Sequence, residues 1–220
     1  MPEADASPLY RGLFLDLDGT LADSVTALRN VYHSFLVSFG ASGDEAEFQR
    51  LNGPPLGEIV ERLRMTHKLP GTPADLLQKY SAMVSQAHQS ARPASGAFEL
   101  LAHARESGLK IAVVTSSPRL FAQRWLAFAG LADKIDDVVG GDEVTAGKPA
   151  AEPYIRALKR LNCSAAPSHA VEDSRIGAMS AVAAGLRTWA LTSPKDRSGW
   201  PDQVVFIESL NDLLGRIPAC

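Results

Sequence analysis

The chain has 220 residues, enough to bury a full core as one large domain or two modest ones. Apolar residues make up 45% and charged residues 21%, the balance of an ordinary globular protein. A net charge of −3 and a pI near 6.0 leave no basic footprint for nucleic acid, and no apolar run approaches the ~20 residues that span a bilayer.

The first residues, Met1 to Pro8, are acidic and lack an apolar core, so they read as a short lead-in and not as a secretory signal. Leu13 to Leu15 then forms an apolar run expected to be a buried strand of a parallel sheet. Asp16, Leu17, Asp18, Gly19 and Thr20 follow, where Gly19 permits a sharp turn and Asp23 and Ser24 can cap the next helix. Two carboxylates two residues apart, beyond a strand's carboxyl end, suit a divalent cation and an acyl-phosphate nucleophile. On its own the stretch reads equally well as a polar turn.

Helical spacing runs from Ser24 to Phe39, closed by Gly40, and a short helix is expected over Asp44 to Leu51. Asn52, Gly53, Pro54 and Pro55 make a turn, a third helix runs from Leu56 to near Lys68, and a long one runs from Pro73 to about Ala91. Residues 24–92 thus read as wholly helical. Thereafter strands alternate with helices. The strands are Leu109 to Thr115, Asp137 to Gly140, His169 to Glu172, Arg187 to Leu191 and Val204 to Ile207. The helices are Gly96 to Ser107, Pro118 to Ala129, Ala151 to Leu161 and Ser174 to Ala184, with a last one from about Glu208 to Leu214. Such alternation argues an α/β fold, a Rossmann-like parallel sheet with an all-helical cap inserted after its first strand. The expected division is a core of 1–23 and 93–220 around a helical cap of 24–92.

Three further stations carry chemistry. Thr115, Ser116 and Ser117 end a core strand in hydroxyls and amides that can donate to phosphoryl oxygens, though they are equally an ordinary helix start. Lys148, expected in an extended stretch before Pro149, can offset charge on a carboxylate or a phosphoryl group. Glu172 and Asp173 again bring two acidic side chains to a strand end, where they repel unless a cation or donors offset them. The histidines His33, His67, His88 and His103 are scattered over helices without ligand spacing and read as structural or surface groups; His169 reads as packing. Cys163 and Cys220 suggest a reduced, cytoplasmic protein.

The four stations in this order resemble the motifs of the haloacid dehalogenase superfamily of phosphohydrolases, over nearly the whole chain from Tyr10. The resemblance implies a phosphatase for a small phosphorylated metabolite, of sugar-phosphate or phosphoglycolate type, working through an aspartyl-phosphate on Asp16. It implies Asp18 as general acid and base, and Thr115, Ser116 and Lys148 as binders of the transferring group. Mg2+ would be held by the Asp16 carboxylate, the Asp18 main-chain carbonyl and Asp173, with Glu172 in support. Ala151 departs from the pattern, standing where a second proline is commoner. Asn52 to Leu56 resembles the turn between cap helices that faces substrate in phosphoglycolate-phosphatase-like members, and it also serves as a simple helix breaker. Phosphomutase relatives resembling β-phosphoglucomutase carry histidine and arginine where this chain has Leu28 and Leu56, which lowers that alternative. A catalytically idle binding or regulatory member would be expected to lose Asp16 or Asp18, and both are present. The sequence specifies no oligomeric state.

Overall fold

A computed structural model describes residues 10–51, 53–88 and 90–217. Its central sheet is made of β1 (Gly12–Leu15), β4 (Lys110–Val114), β5 (Asp137–Val139), β6 (His169–Glu172), β7 (Arg187–Leu191) and β8 (Val205–Ile207). All pairings are parallel, in the order β5-β4-β1-β6-β7-β8. The chain leaves β1, builds outward on one side through β4 and β5, then returns to the other side of β1 for β6. The strand order therefore reverses at β1, and the crevice at its carboxyl end is where such sheets place ligands.

The strands are buried on both faces, which is why they read as continuous apolar runs. Leu13 and Leu15 of β1 join Ile111, Val113 and Val171 in one cluster, covered by α5 (Ala97–Glu106) and α6 (Arg119–Phe128) through Leu100, Leu101 and Trp125. Phe14 points to the other face, with Ala112, Val114 and Ala170, under Tyr154 and Leu158 of α7 (Glu152–Leu161). A further helix, α8 (Arg175–Ala183), follows β6 and is started by the Ser174 side chain, which accepts from the Gly177 amide.

Between β1 and β4 lie α1 (Val25–Val37), α2 (Glu45–Arg50), α3 (Leu56–His67) and α4 (Pro73–His88). They bury a cluster of their own, with Tyr32, Phe35, Leu36, Leu63, Tyr80 and Val84 at its centre. The inserted run is tied down at both ends by a two-rung antiparallel ribbon of β2 (Ala22–Asp23) and β3 (Arg92–Pro93), where Ala22 faces Pro93 and Asp23 faces Arg92.

Four expectations need correction. Residues 24–92 are not wholly helical, because Arg92 pairs with Asp23. The last helix is only a 3-10 turn, Leu210–Leu213, held by Ser209 and Asp212, which cap each other's backbone. Lys148 sits in a turn ahead of a cis-proline and not in an extended stretch. Ser24 stands at the start of α1 but makes no side-chain cap. Among the described residues no helix is long and apolar enough to cross a membrane.

Candidate active site

The first carboxylate is set by the sheet itself. Asp16 is one residue past β1, and its amide donates to the Val171 carbonyl of β6 at 3.0 Å. The chain then turns at Gly19, with φ of +84°, where a Cβ would lie 2.1 Å from a carboxylate oxygen of Asp173. Only a residue without a side chain lets the loop pass this close.

Asp18 is gripped from three sides. The Ser24 hydroxyl donates to its Oδ1 at 2.7 Å, so the serine serves this carboxylate and not the helix start. The Ser117 hydroxyl donates to Oδ2 at 3.2 Å. The third neighbour is His88, at the end of α4, with Nε2 2.7 Å from Oδ1. Its N–H is poorly aligned on that oxygen, so neither ring nitrogen has a well-formed hydrogen bond although the ring is buried. Burial pushes the Asp18 carboxyl up, but the His88 charge 2.7 Å away and the bonds from Ser24 and Ser117 outweigh it and hold it below the usual value. Burial in turn pulls His88 down, and the opposed Asp18 charge raises it above the ordinary histidine value.

Behind Asp16 lies a buried charge cluster. The Lys148 ammonium donates to Asp16 Oδ1 and Glu172 Oε1, both at 2.6 Å, and to the Val114 carbonyl at 2.9 Å. Glu172 is fully buried and also accepts from the Tyr154 hydroxyl at 2.6 Å and the Ser174 hydroxyl at 3.1 Å. Burial disfavours the charge on Lys148, yet Asp16 and Glu172 hold it well above the usual lysine range. Burial pushes the Asp16 carboxyl well up; Glu172 and Asp173 add to this while Lys148 opposes it.

Asp16, Glu172 and Asp173 each present an oxygen within 4.8 Å of one another. One ammonium stands against three carboxylates there, and oxygen donors with excess negative charge fit a hard divalent cation.

Asp16, Asp18, Thr115, Ser116, Asp173 and Leu56 line one cleft between sheet and helices. Lys148 and Glu172 lie beneath it. Thr115 Oγ1 accepts from the Ser117 amide at 3.0 Å, and Ser116 donates to the Gly53 carbonyl, joining the strand end to the turn before α3. Asn52 lies outside the described residues. Ser117 and His88 line the same cleft; the sequence places Ser117 in the hydroxyl station without its bond to Asp18, and assigns His88 no part in the site. Nothing in the spacing points to His88, which lies 70 residues beyond Asp18 in the chain.

A parallel sheet with acidic strand ends under a helical insertion defines a hydrolase of the α/β class. The chain belongs to the haloacid dehalogenase-like hydrolase family, whose model matches residues 13–191. It is 32% identical over 188 residues to the phosphoglycolate phosphatase of Pectobacterium atrosepticum, covering 83% of this chain and 80% of that protein. It is 26% identical over 203 residues to the bifunctional riboflavin kinase/FMN phosphatase of Arabidopsis thaliana, where it spans 91% of its own length but 54% of that longer protein. The crystal structure of CbbY from Rhodobacter sphaeroides in complex with phosphate superposes with a TM-score of 0.81 at 24% identity, covering 93% and 96% of the two chains.

Proposed function

We propose that the chain is a magnesium-dependent phosphatase that hydrolyses a small phosphomonoester through an aspartyl-phosphate on Asp16. The observation that supports it most is the unlike treatment of two carboxylates on one loop. Asp16 meets an ammonium and two further acids, whereas Asp18 meets hydroxyls and an imidazole. Mg2+ bound by the Asp16 and Asp173 carboxylates and the Asp18 main-chain carbonyl would offset the excess negative charge, keep Asp16 ionised and align the phosphate.

A carboxylate oxygen of Asp16 attacks phosphorus as the bond to the leaving oxygen breaks, and Asp18, held below the usual carboxylate range, hands on to that oxygen the proton of the His88 imidazolium beside it. Asp18 then takes a proton from the water that cleaves the aspartyl-phosphate. Thr115, Ser116 and Lys148 steady the transferring group, and Glu172 fixes Lys148 in place. Leu28 and Leu56, where the mutase relatives carry histidine and arginine, both line the cleft as apolar groups, which favours hydrolysis. A reduced, cytoplasmic setting belongs to the same proposal and rests on Cys163, which is buried and free. The test is phosphate release from 4-nitrophenyl phosphate with and without Mg2+. Turnover should require the metal and fall to background in Asp16→Asn with the fold kept. Substantial turnover in that variant means that another group attacks phosphorus.

A further inference from the structure

The cleft has two unlike walls. The sheet side carries the carboxylates and hydroxyls already described. The helical side presents Leu28, Leu51, Leu56, Ile59 and Val84. The same five residues continue into a second chamber that also begins at Asp18 and is closed by Val25, Phe48 and Tyr80. Asp18 and the Tyr80 hydroxyl are the only polar side-chain groups among the described residues that line this chamber. Among the described residues no lysine or arginine lines either space, and His88, the one described side chain of the first that can carry positive charge, stands against Asp18.

Resting on the phosphatase reading, we infer that the substrate is the phosphomonoester of an apolar alcohol, aliphatic or aromatic, without a second anionic group. Asp18, the group that protonates the leaving oxygen, marks where phosphate ends and alcohol begins. Beyond it the carbon skeleton meets leucine, isoleucine, valine and phenylalanine. A carboxylate or second phosphate there would lose its water and find no cation, and a sugar's hydroxyls would find few partners. An alkyl or aryl group would gain by leaving water, at about fourfold per methylene. This class is favoured over the sugar phosphates and phosphoglycolate suggested by the family resemblance.

The experiment is a series of n-alkyl phosphates from methyl to hexyl, run with Mg2+ beside phosphoglycolate and glucose 6-phosphate, each scored by kcat/KM. The value should rise about fourfold per methylene until the chamber is full, leaving phosphoglycolate at least a hundredfold below hexyl phosphate. Ile59→Ala should lower kcat/KM for hexyl phosphate about tenfold more than for methyl phosphate. A flat alkyl series, or phosphoglycolate or glucose 6-phosphate as the best substrate, overturns the inference. In parallel, n-alkyl phosphonates, which are not hydrolysed, are titrated calorimetrically. Absence of turnover with every ester, together with phosphonate affinity that rises with chain length, sinks the phosphatase reading and keeps the apolar chamber. Phosphonate affinity independent of chain length sinks the chamber whatever the turnover.

Discussion

Asp173 and Glu172 are adjacent in sequence yet stand in different surroundings. Glu172 is fully buried and accepts from Lys148, Tyr154 and Ser174, whereas Asp173 is partly exposed on the cleft beside Gly19. Asp173→Ala should therefore raise the Mg2+ concentration for half-maximal activity at least tenfold with little change in stability. Glu172→Ala should instead cost about 3 kcal/mol in urea unfolding, because it takes from the buried Tyr154 hydroxyl its acceptor and from the buried Lys148 one of its two carboxylates. Equal metal shifts in the two variants, with stability unchanged in both, would reverse the assignment. The acids were legible in the sequence because a polar residue ending an apolar strand announces itself. His88 was not, since only the folded chain brings the end of α4 onto Asp18.

At the scale of elements, strands and helices were legible nearly throughout, because each apolar run or stripe matches one period. The errors fall where local pattern gives way to tertiary contact. Leu210–Leu213 carries apolar residues at helical spacing but is too short to propagate, and Arg92 becomes a strand only by meeting Asp23. The turn before α3 shows how closely an inserted element can be keyed to the sheet. Gly53 has φ of +103°, accepts from Ser116, and would place a Cβ 2.4 Å from Ile176 of α8. Gly53→Ala should thus lift this turn from the strand end and lower kcat/KM for the best alkyl phosphate at least tenfold. The Mg2+ requirement should stay within twofold, since Asp16, Glu172 and Asp173 all lie outside the inserted helices. A shifted metal requirement would mean that the insertion supplies part of the metal chemistry.

Over the whole molecule, nothing in the local pattern told which strands are neighbours, because the order β5-β4-β1-β6-β7-β8 is set by pairings between residues far apart in the chain. His169 at the start of β6 belongs to this packing, as read from the sequence: its Nδ1 accepts from the Trp189 indole at 3.0 Å on the next strand. Burial, with Arg187 and Arg11 nearby, pulls it down to about 4. Between pH 6.5 and 4 the unfolded chain takes up a proton that the native state refuses, so stability falls as pH falls through that window. The loss approaches about 3 kcal/mol at pH 4. In His169→Gln the urea-derived stability should decline less over this range, and parallel curves would show that His169 does not titrate so. The ribbon of Ala22–Asp23 with Arg92–Pro93 has a last consequence, for the order of folding. Leu13 must find Ile111 across nearly a hundred intervening residues. Once the ribbon has zipped over a folded insert, the open loop shrinks about fourfold, which lowers the closure cost by about 1 kcal/mol. The inserted helices are then expected to form before β1 meets β4, with amide protection in pulsed hydrogen exchange reaching α1 and α4 first. Earlier protection of β1 and β4 would mean that the sheet closes around an insert still searching for its shape.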